Sequence, residues 1–106
     1  MLSQDKILKF KSTFQNNPSI ENKSLIAGCL GDPTCLKILY IMVREKEVCP
    51  SDLAAILDIS MPAVSHQLGK LRQMRIVSTK RMGKIICYAL ADGEAAGLVK
   101  KLIKNI

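Results

Sequence analysis

Six basic side chains and not one Asp or Glu lie between Ile59 and Ala91: Lys70, Arg72, Arg75, Lys80, Arg81 and Lys84. Each Lys or Arg set against a phosphate releases condensed counterions, so such a run suits a polyanion. Ser60, Ser65, His66 and Gln67, in the same run, add groups that hydrogen-bond to bases. An amide such as that of Gln67 pairs with adenine, and an imidazole such as that of His66 donates to guanine or to phosphate. Residues 1–58 hold seven Lys/Arg against seven Asp/Glu, and residues 59–106 nine against two, so the formal charge of +7 sits entirely in the second half. For any one of these charges a solvated face is a plain alternative. For the whole acid-free run, DNA is the better reading.

The remaining reactive groups are Cys29, Cys35, Cys49 and Cys87. No two form a Cys-x-x-Cys pair, which speaks against a zinc finger or a thioredoxin-type motif. No export signal precedes them, which opposes disulfides, and the simplest role for each is a small buried apolar side chain. Cys49, just ahead of a helix start, best suits a reactive thiol. Cys87, alternating with Ile86 and Tyr88, reads as a sheet residue. Catalysis is not expected: His66 is the sole histidine and has no acidic neighbour in its run, and no Ser/His/Asp or paired-carboxylate arrangement is evident.

These groups must be held by a small scaffold. A length of 106 residues suits one domain, and 4% aromatic content leaves the core to aliphatic side chains and Met. Neither a signal peptide nor a membrane span is read, so a cytoplasmic location with no membrane partner is expected. Ser3 is positioned to cap a helix bearing Ile7, Phe10 and Phe14, broken at Asn16-Asn17-Pro18. A second helix is predicted from about Ile20 to Leu30, with Leu25, Ile26, Cys29 and Leu30 apolar. Asp32 then caps a third, about Pro33 to Val43, rich in core residues. Pro50-Ser51-Asp52 opens a fourth, with Leu53, Ala54, Ile56 and Leu57 facing inward. After the turn at Asp58-Ile59, Ser60 caps a fifth, whose Val64, Leu68 and Leu71 recur on one face. Two short helices about a tight turn are the helix-turn-helix signature. Strands at Ile76–Lys80 and Ile85–Leu90, joined through Gly83, form a hairpin with a basic tip. A last helix from about Asp92 carries Leu98, Val99, Leu102, Ile103 and Ile106. The fold expected is mainly α with a small β-hairpin wing (α+β), in the order α-α-α-α-α-β-β-α: one winged helix-turn-helix domain over residues 1–106.

Four segments in register resemble the ArsR/SmtB family of repressors. Leu30 to Leu39 (LGDPTCLKIL) resembles L-x-D-P-T-R-L-x-I-L, and Glu47 to Ala54 (EVCPSDLA) resembles E-L-C-V-C-D-L-A. Ser60 to Leu68 (SMPAVSHQL) resembles the recognition helix S-Q-x-A-V-S-H-H-L, and Gly83 to Leu90 (GKIICYAL) the wing. The likeness spans about residues 22–92. It implies a homodimeric repressor that binds palindromic operator DNA and leaves it when an inducer, usually a metal ion, binds. The terminal helices would form the dimer interface, with packing onto their own domain as the alternative for their apolar stripes. Carried onto this sequence, the DNA-binding residues are Ser60, Met61, Ala63, Ser65, His66, Gln67, Lys70 and Arg72, with Lys80, Arg81 and Lys84 on the wing.

The sequence departs from that pattern where an inducer would bind. The thiolate site of the family pairs two cysteines as C-V-C, because soft ions take two or more thiolates. Here Cys49 is kept but Ser51 replaces its partner. The alternative site on the last helix uses Asp and His pairs, and only Asp92 and Glu94 stand near it. No cofactor is called for with certainty. The ligand left open is a thiophilic metal or metalloid ion, with Cys49, Cys35 and Cys29 as candidate ligands converging near the third helix, or a thiol pair that oxidises. Arg75 stands where the family usually closes the recognition helix with Gly. Either the backbone differs there, or Arg75 tolerates positive φ while adding a phosphate contact; the second is preferred. Two other readings remain open: a winged-helix protein-interaction module without specific DNA reading, and a family member that has lost its inducer site.

Overall fold

The computed structural model describes residues 1–106 as six helices and one antiparallel hairpin, in the expected order. The helices are α1 (Gln4–Asn16), α2 (Ser19–Leu30), α3 (Pro33–Arg44), α4 (Pro50–Leu57), α5 (Met61–Gln73) and α6 (Glu94–Ile103). The strands are β1 (Val77–Met82) and β2 (Ile85–Leu90). Three starts follow from single side chains that satisfy otherwise orphaned N–H groups. Ser3 accepts from the Lys6 N–H (3.3 Å), Asp32 from Thr34 (3.1 Å) and Ser60 from Ala63 (3.2 Å).

α3 lies at the centre. Its Cys35, Ile38, Leu39 and Met42 are buried against Ile26 and Cys29 of α2, Leu53 of α4, Val64, Leu68 and Leu71 of α5, and Val99 and Ile103 of α6. Each fully buried aliphatic side chain contributes about 1.5–3 kcal/mol. Two of the residues expected inside are not. Leu25 and Ile56 are exposed, because apolar spacing marks a face without saying what covers it. The same holds for Leu102 and Ile106 of the final stripe, whose Val99 and Ile103 are buried.

α2 and α3 meet at 93°, which brings the end of one against the first turn of the other. Cys29 and Cys35 are joined there by a disulfide, with Cα atoms 6.0 Å apart. This corrects the expectation of separate buried thiols. It also corrects the expected convergence with Cys49, since no three His, Cys, Asp or Glu side chains stand close enough to hold a metal ion.

The hairpin is longer than expected at its first strand, pairing Val77 with Leu90 through to Met82 with Ile85. Gly83, at φ 65°, is the first of the two turn residues, where a tight hairpin favours glycine. α1 stands apart: it buries no side chain, and the molecule measures 59 × 26 × 24 Å. No single helix is long and apolar enough to cross a membrane.

Candidate nucleic-acid interface

The recognition helix is α5. Val64, Leu68 and Leu71 are fully buried, which turns Ser65, His66 and Arg72 outward, all exposed. Met61 is exposed too, while Ala63 and Lys70 are partly buried at the edges of the face. Ser60 is exposed but its hydroxyl is occupied in capping the helix. Both ends of the turn-bearing segment rest on left-handed residues. Asp58, at φ 54°, ends α4, and Arg75, at φ 59°, follows α5.

At Arg75 the hydrogen bonds identify the device. The Ile76 N–H donates to Leu71 O (3.0 Å) and the Arg75 N–H to Arg72 O (3.0 Å), the paired bonds of a Schellman motif. Arg75 therefore occupies the positive-φ position that glycine fills most easily, with its side chain exposed. The backbone is as the family pattern requires, and the arginine accepts the strain.

Gln67 is set differently from its neighbours. Its Nε2 donates to Asp32 Oδ2 (3.0 Å), and its Oε1 is buried without a partner. Asp32 thus caps α3 with one oxygen and holds the recognition helix with the other. Reading adenine would require Gln67 to exchange that bond. The aspartate's second role has no local sequence signal, since it joins residues 35 positions apart.

The wing continues the basic surface. Lys80, Arg81 and Lys84 are all exposed. Lys80 Nζ is paired with Glu47 (2.9 Å), whose hydrogen bond and charge raise the lysine pKa above its ordinary value. Arg81 Nε donates to Gly83 O (3.2 Å) within the turn. Midway along the wing, Val48 and Tyr88 exchange both backbone hydrogen bonds at 2.8 Å. Beside that bridge, Cys49 Sγ and Cys87 Sγ lie 3.3 Å apart. The Cys87 pKa is raised, first by this hydrogen bond and then by burial. Sequence reasoning placed Cys87 in a strand, where it is, but gave no sign that residue 49 lies opposite it. Residue 51 offers no thiol, and the sulfur beside Cys49 comes from the wing instead. Two thiols alone do not complete the three or four ligands of a closed soft-metal site.

Comparison with known proteins agrees with this geometry. Residues 32–79, from the cap of α3 into the wing, match the family described as bacterial regulatory protein, arsR family. The chain is 38% identical over 79 residues to a transcriptional repressor SmtB homolog of Synechocystis sp., covering 74% of this chain and 59% of that repressor's length. It is 31% identical over 101 residues to the cadmium resistance transcriptional regulatory protein CadC of Listeria innocua, covering 93% of this chain and 82% of that protein. Among solved structures, the transcriptional repressor BigR from Xylella fastidiosa superposes with a TM-score of 0.68 at 28% identity, covering 98% of this chain and 93% of that one. These relatives are regulators rather than enzymes. The chain belongs to the ArsR/SmtB family of winged-helix, DNA-binding transcriptional regulators.

Proposed function

We propose that this protein is a homodimeric repressor that binds a palindromic operator and is released by a signal acting on its thiols. The observation that carries the reading is the outward face of α5. Ser65, His66 and Arg72 are exposed on a helix whose opposite face is fully buried, and a wing bearing Arg81 and Lys84 flanks it. Ser65 and His66 would address base edges, with Met61 and Ala63 in apolar contact, while Lys70, Arg72, Arg81 and Lys84 would hold phosphates. With double-stranded DNA as its partner and no membrane role, the protein would act in the cytoplasm.

A second copy is supported by α1. A helix of 13 residues is marginal in water on its own, and this one buries nothing within its chain. Ile7, Phe10 and Phe14, together with Leu102 and Ile106 beyond the buried stripe of α6, offer apolar surface for the partner. A dimer would set two recognition helices in successive major grooves, roughly 34–36 Å apart.

The thiol signal is supported by the cadmium resistance role of a relative and by the cysteines present. CadC is a cadmium resistance regulator, and cadmium is a thiophilic ion. Here a bonded pair, Cys29 and Cys35, and a free pair, Cys49 and Cys87, stand in separate places. A soft metal or metalloid held at the free pair would need further ligands from outside the chain, so a change in thiol oxidation is the favoured signal. Selection of bound fragments from random duplexes tests the repressor reading. A recovered palindrome is the expected result, and a pool without sequence preference would favour a protein-interaction module instead.

A further inference from the structure

Cys49 and Cys87 face each other across an antiparallel bridge. Val48 and Tyr88 exchange both backbone hydrogen bonds, so the next pair outward, residues 49 and 87, occupies a non-hydrogen-bonded position. Such pairs hold their Cα atoms about 4.5 Å apart with side chains close together, within the range that a disulfide spans. Cys49 is extended (φ −86°, ψ 141°), as that pairing requires, and the two sulfurs are 3.3 Å apart. One thiol is reachable and the other is not: Cys49 is partly exposed and Cys87 is buried. The pair also spans a joint. Cys49 is the cap residue of α4, the first helix of the helix-turn-helix, and Cys87 lies in β2 of the wing.

We propose that Cys49 and Cys87 form a reversible thiol–disulfide site whose substrates are small-molecule disulfides, and whose closure draws the wing toward α4 and weakens DNA binding. Cys49, as thiolate, attacks one sulfur of the disulfide R–S–S–R and releases one R–S⁻, leaving a mixed disulfide on Cys49. Cys87 then gives up its proton and attacks the Cys49 sulfur, which expels the second R–S⁻. Two cysteine thiols lose two electrons and two protons, and the small disulfide gains them as two thiols. Closure brings the sulfurs from 3.3 Å to about 2.05 Å, a pull midway along a hairpin whose tip carries Arg81 and Lys84. The effect on DNA rests on the repressor reading above; the chemistry of the pair does not.

Oxidised glutathione, added to the fully reduced chain, tests both parts. Trypsin separates the pair, because Cys49 falls in residues 47–70 and Cys87 in residues 85–100, while Cys29 and Cys35 share residues 24–37. Mass spectrometry is expected to find the first two fragments joined with the loss of two hydrogens, and the join absent in Cys49→Ser and in Cys87→Ala. On a duplex recovered by selection, closure is expected to lower affinity roughly ten-fold as the wing moves off the phosphates. Cys49→Ser should lose this response and Cys29→Ser keep it. A mixed disulfide that stays on Cys49 without closing, or closure with unchanged affinity, would overturn the proposal. If neither the reduced chain nor Cys49→Ser distinguishes the selected duplex from random DNA, the repressor reading fails, while the fragment join still decides the site. Should Cys87→Ala not fold, blocking of Cys49 by iodoacetamide in the wild-type chain before oxidation serves instead, and a join that still forms contradicts the pairing.

Discussion

The recognition helix and the wing carry the same kind of charge but are held in opposite ways. α5 is seated by three fully buried side chains, Val64, Leu68 and Leu71, and by the Gln67–Asp32 hydrogen bond to the start of α3. The wing buries only Val77 in β1 and Cys87 in β2. Its position depends on the partial packing of Tyr88 and Leu90 against the core, the strand ladder, the Val48–Tyr88 bridge and the Lys80–Glu47 ion pair. An exposed ion pair of this kind adds little, because water screens it. Groups that would meet base edges thus sit on a fixed platform, whereas groups that would meet only phosphate sit on an element with less apolar anchorage. The thiol pair midway along the wing would act on the less anchored of the two, where a small displacement meets less packing resistance.

That contrast is open to direct attack. The largest effect is expected from Leu68→Ala, which should cost about 2–5 kcal/mol in urea denaturation, against changes within about 0.5 kcal/mol for the exposed Ile85→Ala of the wing. Comparable losses at the two positions would erase the distinction. Opening the Cys29–Cys35 bond is next. The short loop it closes corresponds to about 2 kcal/mol, so Cys29→Ser or added reductant should lower the denaturation midpoint of the wild-type protein. Arg75→Gly should raise stability by about 1 kcal/mol by relieving the left-handed residue. If Arg75 also meets phosphate, the same variant binds DNA less tightly while folding better, which sharpens the line between seating and contact. Smallest in stability is Arg81→Ala with Lys84→Ala, expected to leave the melting midpoint unchanged. Its salt slope of DNA binding, read by fluorescence anisotropy, should fall by about 0.9 for each phosphate no longer neutralised. An unchanged slope would remove the wing from the phosphate-binding surface.

Local signals in the sequence were sufficient where structure is decided locally. Ser3, Asp32 and Ser60 cap the helices they were expected to cap, and Gly83 turns the hairpin. The positive φ at Arg75 is one of the two alternatives raised by the family's glycine at that position, and it is the one the backbone adopts. Periodicity placed Val64, Leu68 and Leu71 on one buried face, but misjudged Leu25 and Ile56, because a spacing of apolar residues is the same whether the chain or a partner covers them. The cysteine pairings were not legible. Cys29 meets Cys35 through the 93° corner between α2 and α3, and Cys49 meets Cys87 through a two-residue bridge that leaves no alternating pattern. Gln67 looked like a base reader from its neighbours, and only tertiary packing reveals its hold on Asp32.

Two copies of α5, each flanked by its wing, would read one duplex symmetrically. Hydroxyl-radical footprinting of a selected duplex tests it most directly. Two protected patches related by the palindrome's two-fold axis are expected, centred about one helical turn apart, with flanking protection that disappears in the Arg81→Ala/Lys84→Ala variant. A single unsymmetrical patch, or uniform protection that ignores the sequence, would contradict it.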